Sequence, residues 1–74
     1  MMKTVYLDGR KLRRLRILKG YTLRSLGEAS GISANTIHTL ERRERNPRFH
    51  PPTLAKLADA LGVESIELIG EDEE

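Results

Sequence analysis

The sequence predicts an all-α fold: a compact bundle of five short helices behind a short extended N-terminal arm. Three observations predict it. Apolar residues recur at intervals of three and four, which lines one face of a helix. The gaps between those runs hold glycine, proline or residues that cap a helix start. The one β-prone run, Val5-Tyr6-Leu7, is too brief for a sheet and reads as the arm. At 74 residues there is room for one domain. A chain this short buries only about 60% of its unfolded surface, so its core is expected to be mostly local.

Each element has its own signal. Asp8 can cap a first helix carrying Leu12, Leu15 and Leu18, which Gly20 stops. Thr22 caps a second, with Leu23, Leu26 and Ala29 on one face before Ser30-Gly31. Ser33 caps a third, residues 33–42, whose Ile37 and Leu40 point inward and which Asn46-Pro47 closes off. Pro51-Pro52 suits a first helical turn, where the missing N–H costs nothing, and opens a fourth with Leu54, Leu57, Ala58 and Leu61 up to Gly62. Ser65 caps a short fifth piece holding Ile66 and Ile69. The expected division is an arm over residues 1–8, one helical domain over 9–70 and an acidic tail over 71–74.

Composition narrows the function classes. Without cysteine there are no disulfides and no thiolate metal ligands, which fits a reducing cytoplasm. The two histidines, His38 and His50, lie far apart in sequence, so neither a metal site nor a cofactor is expected. No apolar run approaches the roughly 20 residues of a membrane span, and Met1-Met2-Lys3-Thr4 lacks the apolar stretch of a signal peptide. With no cysteine nucleophile, no paired acid and base at a recognisable spacing and no phosphate-cradling glycine loop, an enzyme is not expected. Charge is more informative. Residues 1–56 hold all 13 Lys and Arg and only four acids, for a net +9, while residues 57–74 hold seven acids and no base, for −7. An ordinary solvated surface explains the acidic end well and the basic segment poorly; a basic working face that meets nucleic acid explains the latter.

The stretch 23–42 carries the chemistry. Two helices joined by so short a turn must cross steeply, which calls for small residues at the approach (Gly27, Ala29) and a left-handed residue at the corner (Gly31). With Leu26, Ile32, Ile37 and Leu40 turned inward, helical spacing leaves Ala34, Asn35, His38 and Thr39 outside. That face is neither charged nor greasy, as a major-groove reader requires. Asn35 can give two hydrogen bonds to adenine and Ala34 can sit against a thymine methyl, while His38 and Thr39 lie a turn further on. Thr22, Arg24, Ser33 and Thr36 at the two helix starts can meet phosphate, as can Arg42, Arg43 and Arg45 beyond the reading helix. Arg10, Arg13 and Arg14 of the first helix could extend that set.

Leu26, Gly31, Ile37, Leu40 and Glu41, followed by residues 42–47, resemble the Cro/repressor-type (XRE) helix-turn-helix family, lambda-repressor-like DNA-binding domains. The resemblance spans residues 12–69 and departs at Gly27, where alanine is usual, and at Leu23, where a polar phosphate-contacting residue is common. It implies five helices, with the third in the major groove. It implies that Arg48, in Pro47-Arg48-Phe49, lies over the minor groove, and that Arg16 and Glu41 form a structural salt bridge. It also implies a homodimer joined through the last helix and preceding loop, at Val63, Ile66, Leu68 and Ile69. Ile17, Leu18, Tyr21 and Val5-Tyr6-Leu7 carry further apolar surface, which either closes over itself or meets another subunit.

The expected function is sequence-specific binding of double-stranded DNA by a transcriptional regulator, a repressor on an inverted-repeat operator. RNA polymerase or a toxin are the other partner classes that fit. An antitoxin or restriction-modification controller would share the same module. A protein-interaction module on this scaffold would instead bind protein through the outer face of the third helix.

Overall fold

Asp8 ends one element and starts the next. The structure, a computed structural model, describes residues 3–73. Strand β1 (Lys3–Asp8) runs directly into helix α1 (Gly9–Leu18), because the Asp8 carboxylate accepts the free N–H groups of Arg10 and Lys11 at 2.9 and 3.1 Å. Helices α2 (Leu23–Ser30) and α3 (Ala34–Arg42) follow, then a two-residue strand β2 (Arg45–Asn46) and helix α4 (Pro51–Leu61), with Pro51 and Pro52 in its first turn. A single 3₁₀ turn (Ser65–Leu68) leads into strand β3 (Ile69–Glu73).

The expectation of an all-α five-helix bundle is therefore corrected: the described residues form four α-helices and a three-stranded antiparallel sheet in the order β2-β1-β3. The segment read as an extended arm is the central strand. Leu7 faces Asn46 on one side and Ile69 on the other, and Tyr6 faces Gly70. The predicted fifth helix fails because only one turn forms. At about three residues per turn, the 3₁₀ geometry aims Leu68 into the core and leaves Ile66 outside.

Each layer supplies the core with one fully buried side chain. Leu7 comes from β1, Leu12 from α1, Leu26 from α2, Ile37 from α3, Leu57 from α4 and Leu68 from the 3₁₀ turn. Fully burying a leucine or isoleucine contributes about 1.5–3 kcal/mol, so these six side chains are what fixes the helices around the sheet. Among the described residues, Asn46 is the one buried polar side chain. Its Nδ2 donates to the carbonyls of Leu7, Leu40 and Arg43 at 3.1, 3.0 and 3.1 Å, tying the end of α3 to β1. No helix among the described residues is long and apolar enough to cross a membrane.

Candidate nucleic-acid interface

The corner between α2 and α3 is built from local chemistry. Thr22 Oγ1 accepts the N–H of Ser25 at 2.9 Å, and Ser25 Oγ accepts the N–H of Thr22 at 2.9 Å, a reciprocal cap that starts α2. Ser33 Oγ accepts the N–H of Thr36 at 3.1 Å and donates to Thr36 Oγ1 at 2.8 Å, starting α3. Between them Gly31 takes φ 77°, where an L side chain is strained, and its N–H returns to the Gly27 carbonyl at 2.9 Å. Gly27 is small for a different reason: a Cβ there would lie 2.9 Å from the Ile32 carbonyl oxygen and 3.2 Å from the Ala34 nitrogen. The helix start of α3 thus packs directly on the backbone of α2. Ala29, expected at the same approach, is exposed.

With Ile37 buried and Leu40 packed against the core, α3 turns Asn35, His38 and Thr39 to solvent, with Ala34 half-buried at its start. Thr39 Oγ1 donates to the Asn35 backbone carbonyl at 3.0 Å, and among the described residues no hydrogen bond engages the exposed Asn35 side-chain amide. Leucine 23, the first residue of α2, is half-buried and brings no polar group to that helix start.

The basic residues divide into engaged and open sets. Arg16 Nε and Nη2 donate to the two Glu41 carboxylate oxygens at 2.7 and 3.1 Å, while Nη1 donates to the Tyr21 carbonyl at 2.9 Å. Only 12% of the Arg16 side chain and 5% of the Glu41 side chain is exposed, so this pair locks α1 to α3. Arg45 reaches across the sheet to Asp72 at 3.1 Å and stands 5.5 Å from the Tyr6 ring centroid. The contact with Tyr6 and then the charge of Asp72 hold its guanidinium above the ordinary arginine pKa. Arg10 meets Glu44 at 3.4 Å and Arg24 meets Glu28 at 3.9 Å. Among the described residues, Arg13, Arg42, Arg43 and Arg48 have no carboxylate within 4.0 Å. Arg43 and Arg48 flank a hollow of about 310 Å³ with Leu40, Asn46, Pro47 and Phe49, just beyond α3. Open arginines therefore border the exposed face of α3 on its C-terminal side.

The residues expected to join two subunits separate. Leu68 is 0% exposed and belongs to this chain's own core, which corrects its assignment to an interface. Val63 packs partly against that core, Ile69 pairs with Leu7 in the sheet, and Ile66 is 73% exposed. Ile17 and Leu18, at the end of α1, are also exposed, whereas Tyr21 turns in and donates from its hydroxyl to the Ala60 carbonyl at 3.2 Å. Sequence reasoning missed two contributors. In sequence Asn46 signals only a stop before Pro47, although an asparagine shortly past a helix end is a donor placed to cap the last carbonyls. Asp72 was read as part of a tail, and nothing local in its run of acids signals a strand that reaches Arg45.

Comparison with known proteins agrees with this geometry. The helix-turn-helix domain family matches residues 9–69. A relative from Sinorhizobium fredii, an uncharacterized HTH-type transcriptional regulator, is 43% identical over 63 residues, covering 85% of this chain and 79% of that protein. Among solved structures, the restriction-modification controller protein C.AhdI of Aeromonas hydrophila is similar with a TM-score of 0.73 and 37% identity, covering 81% of this chain and 88% of that one. The biofilm regulator SinR of Bacillus subtilis, solved in complex with DNA, is similar with a TM-score of 0.74 and 27% identity, covering 81% of this chain and 94% of that one. With the match extending from the first helical residue to the start of β3, the chain belongs to the helix-turn-helix family of XRE-type transcriptional regulators.

Proposed function

We propose that this protein binds double-stranded DNA as a homodimer on an inverted-repeat operator and represses transcription by occupying it. The observation that carries the reading is the exposed Asn35–His38–Thr39 side of α3, held out from the bundle by the Gly31 corner. Arg42, Arg43 and Arg48 neutralise phosphates and release counterions, which gives attraction that is independent of sequence and sensitive to salt. Asn35 and Ala34 then discriminate base edges, each good pair contributing about 1–3 kcal/mol. Thr22 and Ser33 spend their hydroxyls on caps, so their share of phosphate binding is secondary to the arginines, while Thr36 accepts from Ser33 and keeps its own hydroxyl hydrogen to donate.

Nine residues of α3 span about 14 Å, too little to select a genomic site alone. A two-fold dimer places two reading helices about 34 Å apart, one turn of DNA. Ile66, with Val63 beside it, is the first choice for the joining surface, and Ile17 and Leu18 are the second. The likeness to C.AhdI supports a second reading within this function, control of a restriction-modification operon. Selection of bound sequences from a random duplex pool tests the proposal. An enriched inverted repeat is expected, and equal recovery of all sequences would overturn it.

A further inference from the structure

Between α1, the start of α2 and α3 lies an open hollow of about 460 Å³, lined by Arg13, Arg16, Leu23, His38, Glu41 and Arg42. Its half-buried side chains are spent: Arg16 gives Nε and Nη2 to Glu41 and Nη1 to Tyr21, and the Leu23 side chain has nothing to donate. Its rim is not. Arg13 from α1 and Arg42 from α3 both face the hollow, exposed and without a carboxylate within 4.0 Å among the described residues. The exposed imidazole of His38 joins them, and it has an N–H to donate whether or not it is protonated. With Glu41 and Arg16 cancelling, the lining keeps two uncompensated positive charges around a space between two helices. Two like charges that line one hollow from different helices favour an anion between them, which both can meet at once.

We infer that this hollow seats one phosphate of the duplex backbone in each half-site, clamped by Arg13 and Arg42 and completed by His38. The inference rests on the DNA-binding reading and sharpens it in two ways. It adds α1 to the DNA-contacting helices. It also removes His38 from the base readers, leaving Ala34, Asn35 and Thr39 to set sequence preference. Planar guanidinium groups suit a phosphate oxygen pair. A base edge offers no net charge to hold two of them together.

The test uses the full chain and duplexes in which single backbone phosphates are replaced by neutral methylphosphonates. In the wild type, one position per half-site is expected to weaken binding several-fold beyond its neighbours. In Arg13→Ala unmodified duplexes of every sequence weaken alike, the slope of log K against log salt becomes shallower by about one per half-site, and the methylphosphonate at that position costs much less than it does in the wild type. Lys56→Ala removes a positive charge from α4, outside the lining of the hollow, and leaves the methylphosphonate effect in place. His38→Ala lowers affinity without changing the bases selected. A changed base preference in His38→Ala, or Arg13→Ala and methylphosphonate losses that simply add at every position, would overturn the inference while leaving DNA binding intact. Saturable shifts of the Arg13 and Arg42 side-chain resonances with inorganic phosphate alone, unaffected by duplex, would assign the hollow to a free anion and overturn it too. Failure of the wild type to select any duplex would overturn both this and the reading it rests on.

Discussion

Arg16 and Glu41 meet in a two-point ion pair, Nε to Oε2 at 2.7 Å and Nη2 to Oε1 at 3.1 Å, between the helix that follows β1 and the helix whose other side is exposed. Both charges are nearly out of water, so the pair is a joint whose halves depend on each other. Glu41→Ala strands the guanidinium and Arg16→Ala strands the carboxylate. Each is expected to cost about 3–5 kcal/mol, a large fraction of the stability of so small a domain. Urea unfolding followed by circular dichroism checks this; a loss below about 1 kcal/mol would mean the pair is dispensable.

Asn46 does a comparable task with one amide. Its Nδ2 reaches three carbonyls, those of Leu7, Leu40 and Arg43, and the side chain is buried. Asn46→Ala leaves the carbonyls without a donor and is expected to cost about 1–3 kcal/mol. Asn46→Asp, nearly the same shape, sets carboxylate oxygens against carbonyl oxygens and should unfold at a lower temperature than Asn46→Ala. Thermal melts at neutral pH rank the two, and the reverse order would show that shape matters here more than donor chemistry.

A third expectation concerns the acidic strand. Asp72 holds Arg45, which is exposed and whose pKa is raised by Tyr6 first and Asp72 second. Such a solvent-exposed pair adds little to stability. Asp72→Asn is therefore expected to leave the unfolding midpoint unchanged while freeing Arg45 for phosphate. Duplex affinity then rises at low salt and the salt slope steepens by up to about one per subunit. Titrations at several salt concentrations check this; an unchanged slope would mean Arg45 does not reach the backbone.

The contrast between these elements explains what was readable. The caps at Asp8, Thr22 and Ser33 and the corner at Gly31 lie within a few residues of the helices they shape, so spacing and residue type announce them. The sheet is non-local: Lys3 to Leu7 pair with Glu73 to Ile69, more than sixty residues away. The partner strand reads Ile-Gly-Glu-Asp-Glu, poor in β-formers, and is held by its pairing, by Lys3–Glu71 and by Arg45–Asp72. The exposure of Asn35, His38 and Thr39 on α3 was legible from periodicity, whereas the hollow at Arg13 was not, because it exists only once α1 lies beside α3.

The two glycines of the corner fail under substitution for opposite reasons, and this gives the last prediction. At Gly31 nothing lies within 4 Å of an added Cβ, so only backbone conformation resists, and Gly31→Ala is expected to cost about 1–2 kcal/mol. Gly31→Asn should cost less, since asparagine tolerates the left-handed region. At Gly27 the backbone is helical and alanine would help an isolated helix by about 1 kcal/mol, but its methyl would press on the Ile32 carbonyl and the Ala34 nitrogen. Those are backbone atoms at the start of α3, so relief requires α3 to tilt. Gly31→Asn is thus expected to keep operator affinity with slightly reduced stability. Gly27→Ala should lose affinity out of proportion to its change in melting temperature. Paired melts and duplex titrations on both variants decide it, and equal affinity in Gly27→Ala and wild type would mean the corner has slack that the 2.9 Å approach denies.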